Sequence, residues 1–317
     1  MNTYEEYVQM LTVALEEQSS SRGLCFRKSF ANNQISLDAV CLKGEKISPV
    51  LYMQSYYEKF CSGTAVEDIA KHMLQLLYTA PTNHIEAETK KLLEYEENVN
   101  RIFPAVINYS QNEEFLKTVP HRKYLDLAVI YKVVIEDTEG NSYSMTIKDG
   151  FLKHWNTTEE ELFDKAMKNA REQNEYTTHT YLEVLSGAVE PDDEWEEMKA
   201  QLGKEENLML ISRDKMKFYG ASVLLFPDVF GRAIEEHGLK STKLLILPSS
   251  IWEVIVVPYP SDAERVKGFW EIVKFANKTH LAPEEVLSNE NIYLYEKETN
   301  TIRIFEKSEV MDEDIHQ

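Results

Sequence analysis

Residues 218–278 constrain the fold more than any other stretch, because they contain the densest apolar runs of the chain. Gly, Pro and Ser residues bound these runs and mark where each one ends. Short apolar runs with such boundaries are typical of buried strands. We therefore predict three strands here, over residues 221–226, 243–247 and 251–257.

Two helices are predicted between and after these strands. An i, i+4 apolar stripe over residues 229–237 follows a cap at Asp228 and ends at Gly238. A second stripe, which predicts a long helix and places its members in the core, consists of Val266, Phe269, Trp270, Val273, Phe275 and Ala276. Since the turn at residues 248–250 is tight, the last two strands should run antiparallel, which favours an α+β fold over a doubly wound sheet.

The rest of the chain repeats the same patterns. Strands over residues 24–30 and 35–42 are joined by an Asn-rich link, which tolerates positive φ and suits a hairpin. Within residues 124–136, apolar side chains recur on one side with the period of two that predicts one long strand; they are Leu125, Leu127, Val129, Tyr131, Val133 and Ile135. A last hairpin joins residues 292–295 to 301–305. The predicted class is α+β, with antiparallel hairpins flanked by helices, and two or three β-β-α modules fit this order.

Polar segments divide the chain into modules. The first lies near residues 78–101, and the second is the acidic link around residues 190–207. We expect an N-terminal α+β module, a middle module of hairpins and helices, a C-terminal α+β module and an acidic mobile tail, over residues 1–80, 101–190, 207–306 and 307–317.

The net charge of the chain restricts the classes of partner that it can bind. Its 317 residues include 54 Asp and Glu against 34 Lys and Arg, a formal net charge of -20. So acidic a chain repels phosphate backbones, which disfavours nucleic-acid binding. The same charge favours solubility or a basic protein partner.

The cysteines and the N-terminal residues indicate the cellular compartment of the protein. Cys25, Cys41 and Cys61 are odd in number and lack metal-ligand spacing, which is typical of reduced thiols. The first ten residues have neither the basic region nor the long apolar run of a signal peptide. No apolar run approaches the length of a membrane span. We therefore expect a cytoplasmic protein that does not enter a membrane.

Ser249, His237 and Glu253 are candidate catalytic residues, as a nucleophile, a base and an orienting acid. The sequence lacks the Gly-x-Ser-x-Gly elbow that exposes a nucleophile above a sheet. Glu253 falls within an apolar strand pattern, where a carboxylate needs a partner such as Lys243 or Lys240. We favour a turn and a structural ion pair over catalysis.

His121, Arg122 and Lys123 form a basic cluster in an acidic chain. They are candidate ligand-binding residues for a phosphate or a carboxylate, since Arg binds both through two hydrogen bonds. The alternative, which we favour, is pairing with nearby Asp and Glu residues such as Asp126.

The remaining motifs predict no metal and no cofactor. The eight histidines form no His-Glu-x-x-His pair, and the acidic residues 190–197 lack the Asp-x-Asn-x-Asp-Gly pattern of a calcium loop. A Gly-x-Gly-x-x-Gly motif and a Walker loop are also missing from the sequence.

Six phrases of the sequence carry a family resemblance. They are ISPVLYMQSYYEKFCSG (47–63), VPHRKYLDLAVIYKVV (119–134), FLKHWNTTEEELFDKAMKN (151–169), YGASVLLFPDVFGRAIEEHG (219–238), LPSSIWEVIVVP (247–258) and THLAPEEVLSNENIYLYEKET (279–299). Together they resemble a bacterial domain-of-unknown-function family, number 5688. The C-terminal half has a fainter resemblance to the uncharacterised YtpQ-like proteins. Neither resemblance implies an activity or a catalytic residue.

Three functions fit these observations. We expect a non-enzymatic binding or adaptor protein that contacts a protein partner through an apolar or acidic surface. The alternative is a small hydrolase-like enzyme that uses Ser249, His237 and Glu253, or the His121-Arg122 pair. A third hypothesis is mimicry of a nucleic acid by the acidic surface. Convergence of the polar candidates in one cavity favours the enzyme, whereas their dispersal beside an exposed apolar patch favours binding.

Overall fold

A computed structural model describes residues 3–19, 23–44, 49–79, 91–136, 142–180, 182–183, 210–214 and 219–313. The chain forms two compact units, Met1–Glu97 and Asn98–Gln317. Each unit is described by itself below.

The N-terminal unit packs helices against an antiparallel sheet whose strand order is β1-β2-β3. Its helices and strands are α1 (Tyr4–Gln18), β1 (Leu24–Phe30), β2 (Ser36–Leu42), β3 (Leu51–Tyr52), α2 (Tyr57–Cys61) and α3 (Val66–Thr79). The predicted hairpin of β1 and β2 is present, and its link includes Asn33 with a φ of 59°.

One apolar core joins the elements of this unit. Thr3 caps α1 through a reciprocal bond with Glu6, so the helix begins at a defined residue. The core contains buried side chains of α1, β2 and α3, among them Tyr7, Leu11, Leu15, Val40 and Met73. The Tyr7 hydroxyl donates a hydrogen bond to the Met53 carbonyl at 3.1 Å, which satisfies its buried polar group.

The C-terminal unit contains two sheets. A short helix α4 (Tyr95–Asn98) precedes the first one. The elements of the first sheet and its helices are β4 (Ile102–Asn108), α5 (Glu113–Leu116), β5 (His121–Tyr124), β6 (Leu127–Glu136), β7 (Ser142–Thr146), α6 (Asp149–Trp155) and α7 (Glu159–Gln173). Strand β6 pairs antiparallel with β4 on one side, and with β5 and then β7 on the other.

The second sheet has the strand order β13-β12-β10-β11-β9-β8. Its elements and its helices are β8 (Tyr176–Thr180), β9 (Leu210–Asp214), α8 (Pro227–Glu236), β10 (Lys243–Leu247), β11 (Ile255–Pro258), α9 (Ala263–Thr279), β12 (Tyr293–Glu296), β13 (Thr301–Ile304) and α10 (Lys307–Glu313). All neighbouring strands are antiparallel. The α+β prediction, with antiparallel hairpins flanked by helices, is therefore confirmed.

Two helices lie against the six-stranded sheet. Asp262 caps α9 by accepting a hydrogen bond from the Glu264 N–H, and Trp270 packs with Leu245 and Phe305 in its core. Gly231 of α8 lies under the Tyr295 hydroxyl, and a Cβ at this glycine would be 2.8 Å from that oxygen. A larger residue at position 231 would therefore require either the helix or the buried Tyr295 ring to shift.

The structure corrects the prediction for residues 221–226. They lie in a 3-10 helix, Gly220–Leu225, rather than in a strand. This segment is almost entirely buried, and Ser222 donates a hydrogen bond to the Pro104 carbonyl at 3.0 Å. A short run that is apolar on every side has no period, so sequence alone does not separate a buried helix from a buried strand.

Two further strands are shorter than predicted. Residues 124–136 do not form one strand, because Leu125 adopts a φ of 55° and turns the chain after β5 ends at Tyr124, so that β6 begins at Leu127. Residues 251–254 form a loop, and β11 begins only at Ile255. In this loop the Ile251 N–H donates to the Glu285 carbonyl instead of to a neighbouring strand.

The predicted module boundaries remain predictions. Most of the segments 78–101 and 190–207 lies outside the described residues. Residues 307–313, placed by the sequence in a mobile tail, form α10, and Val310 is buried in the core with Trp270. Arg303 fixes this helix through two hydrogen bonds to Glu309, both of 2.7 Å.

The carboxylate of Asp126 joins the two sheets of the C-terminal unit. Asp126 lies in the turn between β5 and β6, and its partners come from the segment that leads into β12. It accepts hydrogen bonds from Tyr293 at 2.8 Å, and from Ser288 and Asn291 at 2.9 Å each. Asn108 of β4 adds a hydrogen bond to the Leu287 carbonyl at 3.2 Å.

The Asp126→Ala substitution should destabilise the protein strongly. Two of its donors, Ser288 and Tyr293, are fully buried. We expect the free energy of unfolding to fall by about 3 kcal/mol, because each buried donor without an acceptor costs about 1–3 kcal/mol. Urea unfolding followed by circular dichroism measures this change. Asp164→Ala, at an exposed carboxylate of α7, should change it by less than about 0.5 kcal/mol; equal effects would contradict the role of Asp126.

Candidate functional site

The candidate catalytic residues do not meet. His237 follows α8, and its Nε2 lies 3.2 Å from the Thr178 hydroxyl of β8. Ser249 follows β10, and three strand spacings of about 4.8 Å separate β8 from β10. Within the described residues, the His237 ring contacts Thr178, while the Glu253 carbonyl accepts the Ser250 backbone N–H. The hydrolase mechanism needs a hydrogen bond between the nucleophile Ser249 and the base His237. The contact that His237 makes is with Thr178 instead.

Glu253 lies in the loop before β11 rather than inside a strand. Its carbonyl oxygen accepts the Ser250 backbone N–H at 3.1 Å, and the Ser250 hydroxyl accepts the Trp252 N–H at 3.0 Å. Lys243, one of its predicted partners, pairs with Glu296 at 3.1 Å. Ser250 therefore shapes a turn, as serine commonly does by bonding to nearby backbone.

The basic cluster lies on strand β5. The Arg122 guanidinium donates to both oxygens of Glu159, at 3.0 and 3.3 Å, and lies 4.0 Å from the centre of the Phe163 ring. Lys123 lies over the Tyr109 ring at 4.9 Å. The His121 Nδ1 is 3.0 Å from the Val119 carbonyl. Arg122 therefore pairs with a carboxylate, but Glu159 of α7 takes the place predicted for Asp126.

Glu159 also binds a buried tyrosine. The Tyr131 hydroxyl donates to Glu159, and Tyr131 has no exposed surface. Burial and the neighbouring Glu159 raise the pKa of Tyr131, while the hydrogen bond to Glu159 raises the pKa of Arg122. Both shifts hold these side chains in their proton-donating forms at neutral pH. These hydrogen bonds fix the start of α7 to β6. The guanidinium of Arg122 is occupied by Glu159.

A surface cavity of about 320 Å³ lies where α7 ends and α8 begins. Arg171 crosses it and binds Asp228 through two hydrogen bonds of 3.2 Å. Arg232 lines it together with the carboxylates Glu172 and Glu175. Since the charges in its wall nearly cancel, this cavity has no clear preference for an anion or a cation.

Among residues the structure describes, no group of three His, Cys, Asp or Glu side chains could hold a metal ion. In the same part of the chain, no helix is long and apolar enough to cross a bilayer.

The outer face of α9 exposes large apolar side chains. Ile272 is 56% exposed and Phe275 is 61% exposed. Phe275 was predicted in the core, and this is wrong, because Val266, Phe269, Trp270 and Val273 already fill the face that packs on the sheet. The excess of apolar residues on this helix is the sequence signal that was missed.

Another aromatic group also went unrecognised in the sequence. Trp252 is 44% exposed, and its ring lies 5.0 Å from that of Tyr219. The buried Lys132 ammonium lies 4.5 Å from the centre of the same Tyr219 ring. A cation over an aromatic face is favourable in a dry environment. No local spacing connects these three residues, so sequence patterns do not reveal this contact.

Removing Glu159 should cost more than removing Arg122. Glu159→Ala leaves both Arg122 and the buried Tyr131 hydroxyl without their acceptor. Arg122→Ala leaves the Tyr131 bond intact. We expect the first variant to lose about 1–3 kcal/mol more unfolding free energy than the second. Thermal and urea unfolding measure both, and Tyr131→Phe should remove most of the difference. A larger loss for Arg122→Ala would refute this order.

Comparison with known proteins gives one match. A family of unknown function (DUF5688) matches over residues 4–297. Neither the curated proteins nor the solved structures include a match. The fainter YtpQ-like resemblance is not shown by these comparisons. Because the match covers almost the whole sequence, the chain belongs to the family of unknown function DUF5688.

Proposed function

We propose that the protein is a cytoplasmic, non-enzymatic adaptor whose helix α9 binds an amphipathic helix of a protein partner. The partner helix presents an apolar stripe edged by acidic residues. The observation that carries this proposal is the exposure of Ile272 and Phe275 on the side of α9 that faces away from its core.

The spacing of the exposed residues suits a second helix. Gly268, Ile272, Phe275 and Thr279, here called the outer stripe, lie at i, i+4, i+7 and i+11 on one face of α9. A Cβ at Gly268 would contact nothing within 4 Å, so a partner backbone has room to approach closely there. Helix-in-groove recognition uses anchors at these intervals.

Charge beside the outer stripe selects an acidic partner. Helix α9 has four basic residues against two acidic ones, in a chain of net charge -20. Lys267, Lys274 and Lys278 follow one edge of the stripe, and only Lys267 pairs with a carboxylate in the described residues, Glu264 at 2.9 Å. Free ammonium groups beside an apolar stripe complement a helix with glutamates on its flanks.

The two alternatives have weaker support. The separation of His237 from Ser249 speaks against the hydrolase mechanism that uses them. The acidic nucleic-acid mimic predicts carboxylates spaced along one face and partner binding that is lost at high salt.

The proposed cytoplasmic location has its own support. Three cysteines that are unpaired in the structure agree with a reducing compartment such as the cytoplasm.

A pair of synthetic helical peptides tests the proposal. Both have leucines at i, i+4, i+7 and i+11; one has glutamates along its flanks and the other has lysines. We expect the glutamate peptide to bind at least tenfold tighter by fluorescence anisotropy, about 1.4 kcal/mol in binding free energy. Phe275→Asp should weaken its binding by at least the same factor, because it places a carboxylate in the apolar contact.

Phe30→Asp is the matched control, since Phe30 is 72% exposed in the N-terminal unit. It should leave peptide binding unchanged. Unfolding temperatures should show that neither substitution disturbs folding. The proposal is refuted if neither peptide binds, if both variants lose affinity equally, or if sedimentation shows that the outer stripe is covered by a second copy of the chain.

A further inference from the structure

Cys25 of β1 and Cys41 of β2 face each other across the antiparallel ladder of the N-terminal unit. The Lys43 N–H donates to the Gly23 carbonyl at 2.8 Å, which makes that pair hydrogen-bonded. Hydrogen-bonded and non-hydrogen-bonded pairs alternate along such a ladder. Two residues further on, Cys25 and Cys41 are therefore also a hydrogen-bonded pair, and their side chains leave the sheet on the same face.

The two thiols have different environments. Phe26 and Val40, their neighbours in the strands, pack in the core, so both cysteines point to the opposite face. Cys25 is exposed, while Cys41 is 7% exposed. The Cys41 sulfur lies 3.7 Å from the Cys25 carbonyl oxygen. Burial raises the pKa of the Cys41 thiol, so an oxidant meets Cys25 first.

We propose that Cys25 and Cys41 are a redox-active thiol pair that forms a reversible disulfide between β1 and β2. The oxidant is a small-molecule disulfide. The Cys25 thiolate attacks one of its sulfurs and releases the other as a thiol, which leaves a mixed disulfide on Cys25. The Cys41 thiolate then attacks the Cys25 sulfur and expels the second small thiol. Two protein thiols are oxidised to one disulfide, and one small disulfide is reduced to two thiols.

The ladder geometry makes this bond reversible rather than permanent. Opposite Cα atoms in a hydrogen-bonded pair are about 5.5 Å apart, which falls in the range of disulfides. Opposite Cβ atoms are about 4.5–5.5 Å apart, however, while a disulfide needs about 3.5–4.5 Å. The strands must draw together locally, and disulfides under such strain are readily reduced. The bond would fix the register of the sheet that supports the N-terminal core.

Oxidised glutathione added to the full-length protein tests the proposal. Of the three cysteines, we expect Cys25 and Cys41 to appear in one linked peptide about 2 Da lighter than its two reduced parts, whatever adduct the exposed Cys61 carries. Dithiothreitol should restore all three thiols. Cys61→Ser is the matched control, because Cys61 lies at the end of α2, away from the ladder pair, and this variant should still lose both reactive thiols.

The Cys41→Ser variant should stop at a glutathione adduct on Cys25, because the second attack has no nucleophile. Cys25→Ser, at an exposed position that folding tolerates, should form no intramolecular disulfide. The proposal is wrong if the unsubstituted protein retains the glutathione adduct on Cys25, if Cys25 links to Cys61, or if the disulfide joins two chains.

Discussion

The hydrogen bonds to Asp126 hold the C-terminal unit together. One carboxylate in a tight turn of the first sheet accepts from Ser288, Asn291 and Tyr293, which precede or begin the hairpin at the β13 edge of the second sheet. Burial raises the pKa of Tyr293, and Asp126 adds to that effect, so the hydroxyl remains a donor at neutral pH. Polar contacts of this kind fix the position of one sheet on the other more narrowly than apolar packing does, because their geometry is directional.

Buried polar side chains repeat this role elsewhere in the unit. Asn169 of α7 donates to the carbonyls of Val99 and Ile102, which fixes that helix on the first strand of its sheet. Glu159 at the start of the same helix binds Arg122 and Tyr131. Among these residues, Arg122 was a predicted ligand-binding candidate. The structure uses them to connect helices and sheets, so their chemistry is structural.

The surface proposed for partner binding is a consequence of the same packing. Helix α9 covers the six-stranded sheet with a narrow apolar face, and Trp270 stacks on Phe305 there at 5.5 Å. The helix has more apolar residues than this face can bury. Ile272 and Phe275 therefore remain on the outside, on the same helix as Lys267, Lys274 and Lys278. A protein with no use for that face would gain solubility from polar residues at these positions.

The sequence by itself determined the elements that depend on local physics. Apolar stripes located α8 and α9, and turn signals between apolar runs identified the antiparallel hairpins, because these signals act over a few neighbouring residues. Tertiary structure alone decided that residues 221–225 are helical, that Asp126 accepts from Tyr293 rather than from Arg122, and that His237 contacts Thr178. Each of these outcomes depends on a contact between residues that are more than 50 positions apart in the sequence. No local sequence pattern encodes such a contact.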